Sequence, residues 1–171
     1  MIKLSVIKNI IFIATLIFMT ACTVNYSFTG ASIPIEVKTI NIKYFTNNAS
    51  LIEPTLSQKL TDGLEDKFVS ETSLILVNEG GDLILEGAIT GYRTQPVAIQ
   101  ENDQAAMNRL TITIDVNYTN TFDEKMSFES VFSRYADYAS DQNLAEIQGQ
   151  LIDEINEMLV EDVFNKAVIN W

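Results

Sequence analysis

Leu110, Ile112, Ile114, Val116 and Tyr118 alternate without a break with Thr111, Thr113, Asp115, Asn117 and Thr119. Successive strand side chains point to opposite faces, so this stretch predicts a strand with one apolar and one polar face. A sheet built around it buries one side only, and the common way to do that is an antiparallel sheet with one wet face. The rest of the chain has to supply the cover.

Two segments read as that cover. Leu56, Leu60, Leu64 and Phe68 recur every four residues and predict an amphipathic helix over about 53–70. Ser50-Leu-Ile-Glu53 matches a capping box at its start, and Pro54 alternatively suits the first helical position. Leu144, Ile147, Leu151, Ile155 and Leu159 form one stripe of a second helix over about 140–169. Past Leu159 the stripe rotates to Val160, Val163, Phe164 and Ala167, so the helix end meets a different surface or bends. Asp162 and Lys166 stand four apart and can pair.

The remaining runs read as strands. Val37 to Phe45 alternates, with Ile40, Ile42 and Tyr44 on one face, and Asn47-Asn48 turns the chain. Ser73 to Val77 is a short strand, and Glu79-Gly80-Gly81-Asp82 reads as a hairpin turn. Leu83 to Thr94 is a strand in which Gly87 and Gly91 mark a bulge or a close backbone approach. Pro96 to Asn108 reads as a polar loop, Asn120 to Lys125 as a turn, and Met126 to Tyr135 as a returning strand. The order is β-α-β-β-β-β-α. It predicts an α+β two-layer sandwich, with two helices packed on one face of a mostly antiparallel sheet.

The N-terminus reads as an export signal. Lys3 and Lys8 precede an apolar run from Ile10 to Met19, then Thr20-Ala21-Cys22. The run is shorter than the ~20 residues of a membrane span. The chain's one cysteine falls at the cleavage point, where it resembles the acylated cysteine of a bacterial lipoprotein. The expected organisation is a signal peptide over 1–21, a lipidated tether over 22–35 and one domain over 36–171. Cys22 is the expected lipid attachment site. Two or more acyl chains would hold the protein on its membrane.

Charge and composition exclude several functions. Loss of residues 1–21 leaves nine basic against 23 acidic residues, net −14. Such a body repels phosphate, so no nucleic-acid partner is expected. The chain contains no histidine. With its cysteine given to lipid, it lacks the usual general base, the usual nucleophile–base pair and the commonest zinc ligands. We expect no catalysis, no metal and no cofactor.

The segments 22–34 (CTVNYSFTGASIP), 80–92 (GGDLILEGAITGY) with Pro96 beyond, 108–120 (NRLTITIDVNYTN), 132–138 (FSRYADY) and 165–171 (NKAVINW), in that order behind a lipobox, resemble the LptE family in its Bacteroidetes form. These are lipopolysaccharide-assembly lipoproteins of Gram-negative outer membranes. The resemblance implies a lipid anchor on the periplasmic face of the outer membrane. It implies the β-barrel LptD as partner, which members plug and help to fold, and lipopolysaccharide as a candidate ligand. Enteric members bind that ligand through basic loop residues, whereas this chain is acidic. The alternative reading is an accessory envelope lipoprotein that activates or scaffolds another enzyme or transporter.

Four residues are candidate contacts. Arg93 at a strand end and Lys125 in a strand turn are placed to touch an anionic sugar lipid or a partner. Arg134 and Tyr138, with Tyr135 and Asp137 between, form an aromatic and charged patch of the kind that dominates interfaces. The polar face Thr111 to Thr119 looks either to water or to a barrel wall. Trp171 closes the core or anchors in a partner.

Overall fold

The computed structural model describes residues 33–51, 53–99 and 105–168. The expected signal peptide, Cys22 with most of the tether, and Trp171 lie outside these residues. The elements are β1 (Thr39–Ile42), β2 (Thr46–Asn47), α1 (Leu56–Glu71), β3 (Ile75–Leu76), β4 (Leu83–Ile99), β5 (Ala105–Asn120), β6 (Phe128–Ala139) and α2 (Leu144–Val168), with one 3-10 turn at Glu124–Met126. One sheet of six strands runs β3-β1-β4-β5-β6, and β2 adds to β4. The long strands β4, β5 and β6 are antiparallel, while β1, β2 and β3 pair in parallel. The architecture is the expected α+β sandwich: two helices lie on one face of this mixed sheet.

The alternation of β5 sets the layers. Leu110, Ile112, Ile114, Val116 and Tyr118 are all buried under the helices. Leu83, Leu85, Ile89 and Tyr92 join them from β4, and Leu56, Leu60, Leu64 and Phe68 from α1. Helix α2 adds Leu151, Ile155, Leu159, Val163 and Phe164. Its rotated stripe meets α1, where the Phe164 and Phe68 rings pack edge to face at 5.2 Å, a favoured aromatic geometry.

Several local expectations are corrected. The 37–45 run is not one strand. The ladder breaks after Ile42, so Tyr44 is 53% exposed while Phe45 turns inward to full burial. Phe45 needs room, and Gly87 supplies it: a Cβ there would stand 2.5 Å from the Phe45 ring and 2.2 Å from the Asp115 carbonyl. The bulge lies close by, with the register slipping between Ile89 and Gly91. That slip keeps Tyr92 on the buried face.

Helix α1 starts at Leu56, later than the capping box would place it. Proline disfavours helical conformation in the residue before it, so Pro54 delays the helix past Glu53. Ser50 caps nothing there. Instead the Glu53 carboxylate accepts from the Thr55 N–H at 3.3 Å and from its hydroxyl at 2.9 Å.

The Gly80-Gly81 turn is not a hairpin. β1 lies between β3 and β4, and the chain crosses past it. Positive φ at Gly80 (67°) and Gly81 (109°) allows the crossing, a conformation that costs glycine little. Asp82 then ties the crossing down, accepting from the Lys38 and Thr39 N–H groups at 2.8 and 2.9 Å.

The expected polar loop at 96–108 is mostly ladder. β4 continues to Ile99 and β5 begins at Ala105. Pro96 sits where β2 no longer borders β4 and where the register shifts. Edge positions and bulges are the places a sheet tolerates proline. Strand β6 likewise begins two residues late, because Met126 closes a 3-10 turn, and runs on to Ala139. Helix α2 begins at Leu144, four residues late, and the Asn143 side chain accepts from the Ala145 N–H at 3.1 Å. Asp162 and Lys166 do not pair: Arg134 takes Asp162, and Lys166 donates to the Ser130 hydroxyl at 2.6 Å.

Candidate interaction surface

The helices leave the other sheet face open. Thr113, Asp115, Asn117 and Thr119 of β5 point there, flanked by Ile84, Glu86 and Ala88 of β4 and by Glu129, Val131 and Ser133 of β6. The register settles these neighbours, since directly opposite residues in an antiparallel ladder share a face. The face is polar, with half-buried Ile84 and two more exposed apolar side chains on it: Val131 is 66% and Tyr135 49% exposed.

Its most structured part lies toward the β4–β5 tip. Arg109 stands opposite Asp137 and binds it in a fork, Nε to Oδ1 at 2.7 Å and Nη2 to Oδ2 at 2.8 Å. The guanidinium also lies 3.5 Å from the centre of the Tyr135 ring, within the range of a cation–π contact. The hydrogen bond from Arg109 holds the Asp137 carboxyl below its ordinary range, and the same bond raises Arg109. Arg93 is opposite Thr111, which is opposite Tyr135. The row Arg93–Thr111–Tyr135 therefore borders the row Gln95–Arg109–Asp137. This arrangement offers a fixed cation, an exposed cation and an aromatic face on a flat surface.

Of the four residues singled out from sequence, only Arg93 belongs to this patch. Lys125 is exposed in the 3-10 turn at the other end of β5. At ~3.3 Å per strand residue it stands roughly 30 Å along from the level of Arg93. Arg134 and Tyr138 point to the helix side. Arg134 clamps β6 to α2 through a fork on Asp162, Nε at 2.5 Å and Nη2 at 2.6 Å. Tyr138 is 7% exposed, next to buried Tyr92. Burial pushes the Tyr92 hydroxyl up to about 12, with Glu53 and Tyr138 adding to the shift. The 134–138 patch is thus divided by strand alternation, Tyr135 and Asp137 on one face, Arg134 and Tyr138 on the other.

Arg109 was not among the sequence candidates. Its signal was available: it shares the phase of Thr111 and Thr113, and so belongs to the wet face. Among the described residues no group of three or more Asp, Glu, Cys or His side chains is placed to hold a metal ion. A small apolar cavity of about 120 Å³ lies under Ile33, Val37, Tyr118, Met126 and Val168, where the described chain begins and α2 ends.

Comparison with known proteins gives a consistent answer. No curated protein matches the sequence. Among solved structures, rare lipoprotein B from Shewanella oneidensis is similar over 73% of this chain and 91% of its own, at 12% identity and a TM-score of 0.50. The hypothetical protein CT253 from Chlamydia trachomatis is similar over 78% and 99%, at 8% identity and a TM-score of 0.57. A minor lipoprotein from Acinetobacter baumannii is similar over 77% and 93%, at 12% identity and a TM-score of 0.51. At such identities the likeness is one of fold. The family model LptE, described as lipopolysaccharide-assembly, matches residues 37–167, nearly all of the folded domain. The chain belongs to the LptE lipopolysaccharide-assembly family.

Proposed function

We propose that this chain is an outer-membrane lipoprotein that plugs and helps to assemble the lipopolysaccharide-translocating barrel LptD. It would be anchored through Cys22 on the periplasmic face and would carry out no chemistry of its own. The match of the family model over residues 37–167 carries the reading. The open sheet face supports it, because a plug acts through a fixed surface and needs no reactive group. Arg93, Arg109 and Tyr135 are the anchors we assign to a barrel wall or to lipopolysaccharide, since Arg and Tyr are enriched among residues that dominate interfaces. Lys125 is a second, separate contact. Arg134 and Tyr138 act on the partner through the shape they give the β6–α2 edge.

The test is affinity purification of the tagged protein from outer membranes. A very large barrel should come with it, and Arg93→Ala with Tyr135→Ala should reduce its recovery while the lipoprotein stays folded. Normal surface lipopolysaccharide in cells lacking this protein, with no barrel co-purifying, would remove the reading in favour of an accessory envelope lipoprotein. Intact-mass analysis of the mature chain checks the anchor: an unmodified Cys22 would exclude it.

A further inference from the structure

A groove of about 570 Å³ runs between α1 and α2 on their solvent side. Two ion pairs cross it, Lys59 to Asp153 at 2.5 Å and Lys67 to Glu161 at 2.6 Å. Between these bridges stand Asp62 and Asp66 of α1 and Glu157 of α2, none with an ion-pair partner among the described residues. Asp62 accepts only from the neutral Gln58 amide, at 2.5 Å. Glu65 reports the resulting field: its carboxyl is raised by burial and further by Asp62 and Asp66.

The floor of the groove holds a second, independent feature. Asn156 is 6% exposed, and neither its amide nitrogen nor its amide oxygen has a hydrogen-bond partner. A buried donor and acceptor left unmade destabilise the fold, and native proteins rarely keep them without a reason. A carboxamide presents a donor beside an acceptor, the complement of a peptide unit. Gly63 lies opposite, where a Cβ would come within 3.2 Å of Val160.

Spacing narrows the ligand. Asp62 and Asp66 are four residues apart on α1, about 6 Å along the axis. In an extended chain, alternate side chains point the same way and are about 6.6 Å apart. We propose that the groove between α1 and α2 docks an extended basic segment of a partner protein, with Arg or Lys at alternate positions. Two basic side chains meet Asp62 and Asp66, and Glu157 closes on them from α2. The Asn156 amide is closed to solvent in the unbound form, and the peptide unit between the two basic residues reaches it only as the groove opens. Lys59 swings aside to admit the segment. Its pair with Asp153 is solvent-exposed, and exposed pairs are weakly held. Lys67, 24% exposed, also within 3.7 Å of Glu71 and lying over the Phe164 ring, stays in place and closes the far end of the groove. Arginine suits the site better than lysine, because its planar fork matches a carboxylate with two parallel bonds. The inference rests on the groove and is independent of the barrel reading.

The experiment uses the full protein as purified from cells in detergent. Fluorescence anisotropy would follow a labelled Ser-Arg-Ser-Arg-Ser peptide. Binding should fall at least tenfold with Asp66→Asn, with Glu157→Gln and with Asn156→Leu. It should change less than twofold with Asp115→Asn or Glu129→Gln, which remove charge from the open sheet face. Asn156→Leu should fold with an undiminished unfolding midpoint, so that its loss of binding is read on an intact domain. Equal losses from both faces would mean general attraction to an acidic body and would overturn the proposal. So would no binding, equal binding of a peptide with adjacent arginines, or a site that takes calcium or magnesium and not the peptide.

Discussion

Gly87 has no side chain because Phe45 and the Asp115 carbonyl already occupy the place one would take. Gly87→Ala should therefore cost several kcal/mol, the range of overpacked cores. Gly149 is the opposite case, an exposed glycine inside α2 with nothing within 4 Å of an added Cβ. Gly149→Ala should raise stability by about 1 kcal/mol through helix propensity alone. Ile114 and Thr113 make a second contrast. Ile114 is fully buried, and Ile114→Asp should be severely destabilising through an unpaired buried carboxylate. Thr113 is partly exposed on the open face, where its hydroxyl stands 3.0 Å from that of Ser133. Thr113→Asp should cost far less. Urea unfolding of the four variants checks all of these. Titration gives one more. The folded-state pKa values of Asp82 and Asp137 are depressed, Asp82 chiefly by the Lys38 N–H and Asp137 by Arg109. Their stabilisation is complete above the unfolded value near pH 4 and is lost as pH falls through the folded values. Glu65 is raised, so its charge opposes folding at neutral pH. Glu65→Gln should stabilise at pH 7, and the gain should vanish near pH 3.

Between elements, the joint of β6 and α2 depends on a surface fork. Arg134 and Asp162 are 47% and 26% exposed as side chains, so Arg134→Ala should cost at most about 1 kcal/mol. Hydrogen exchange should show the loss at the β6 edge and in the last turns of α2, not in α1. This pair also shows what could be read from the residues alone. The stripes on 56–68 and 144–159 and the alternation on 110–119 gave both helices and the central strand, because burial imposes their periods directly. The Asp162–Lys166 pairing failed because helix spacing tells which residues are neighbours on one element but not which cation arrives from another. The 96–108 loop failed for a related reason. Proline and polar residues are common in loops, yet Pro96 and Val97 stay exposed while lying within a ladder. At the candidate surface, alternation alone would have separated Arg134 and Tyr138 from Tyr135 and Asp137. The Arg109–Asp137 contact needed the register between β5 and β6, which no single segment encodes.

Over the whole molecule, the sheet order β3-β1-β4-β5-β6 has a consequence for the growing chain. The strands β4, β5 and β6 are consecutive and pair with their immediate successors. β1 must find β4 across more than forty intervening residues, and contacts of such separation form late. The N-terminal half is thus the half that cannot finish alone: β1, α1 and β3 have an apolar side and no β4 to complete it. Only when the later meander exists does that unit have a place to settle. A chain interrupted near Gly80 would carry its stickiest surface with no seat for it. The seat is complete only when Leu83 and Leu85 stand beside Ile40 and Ile42 of β1.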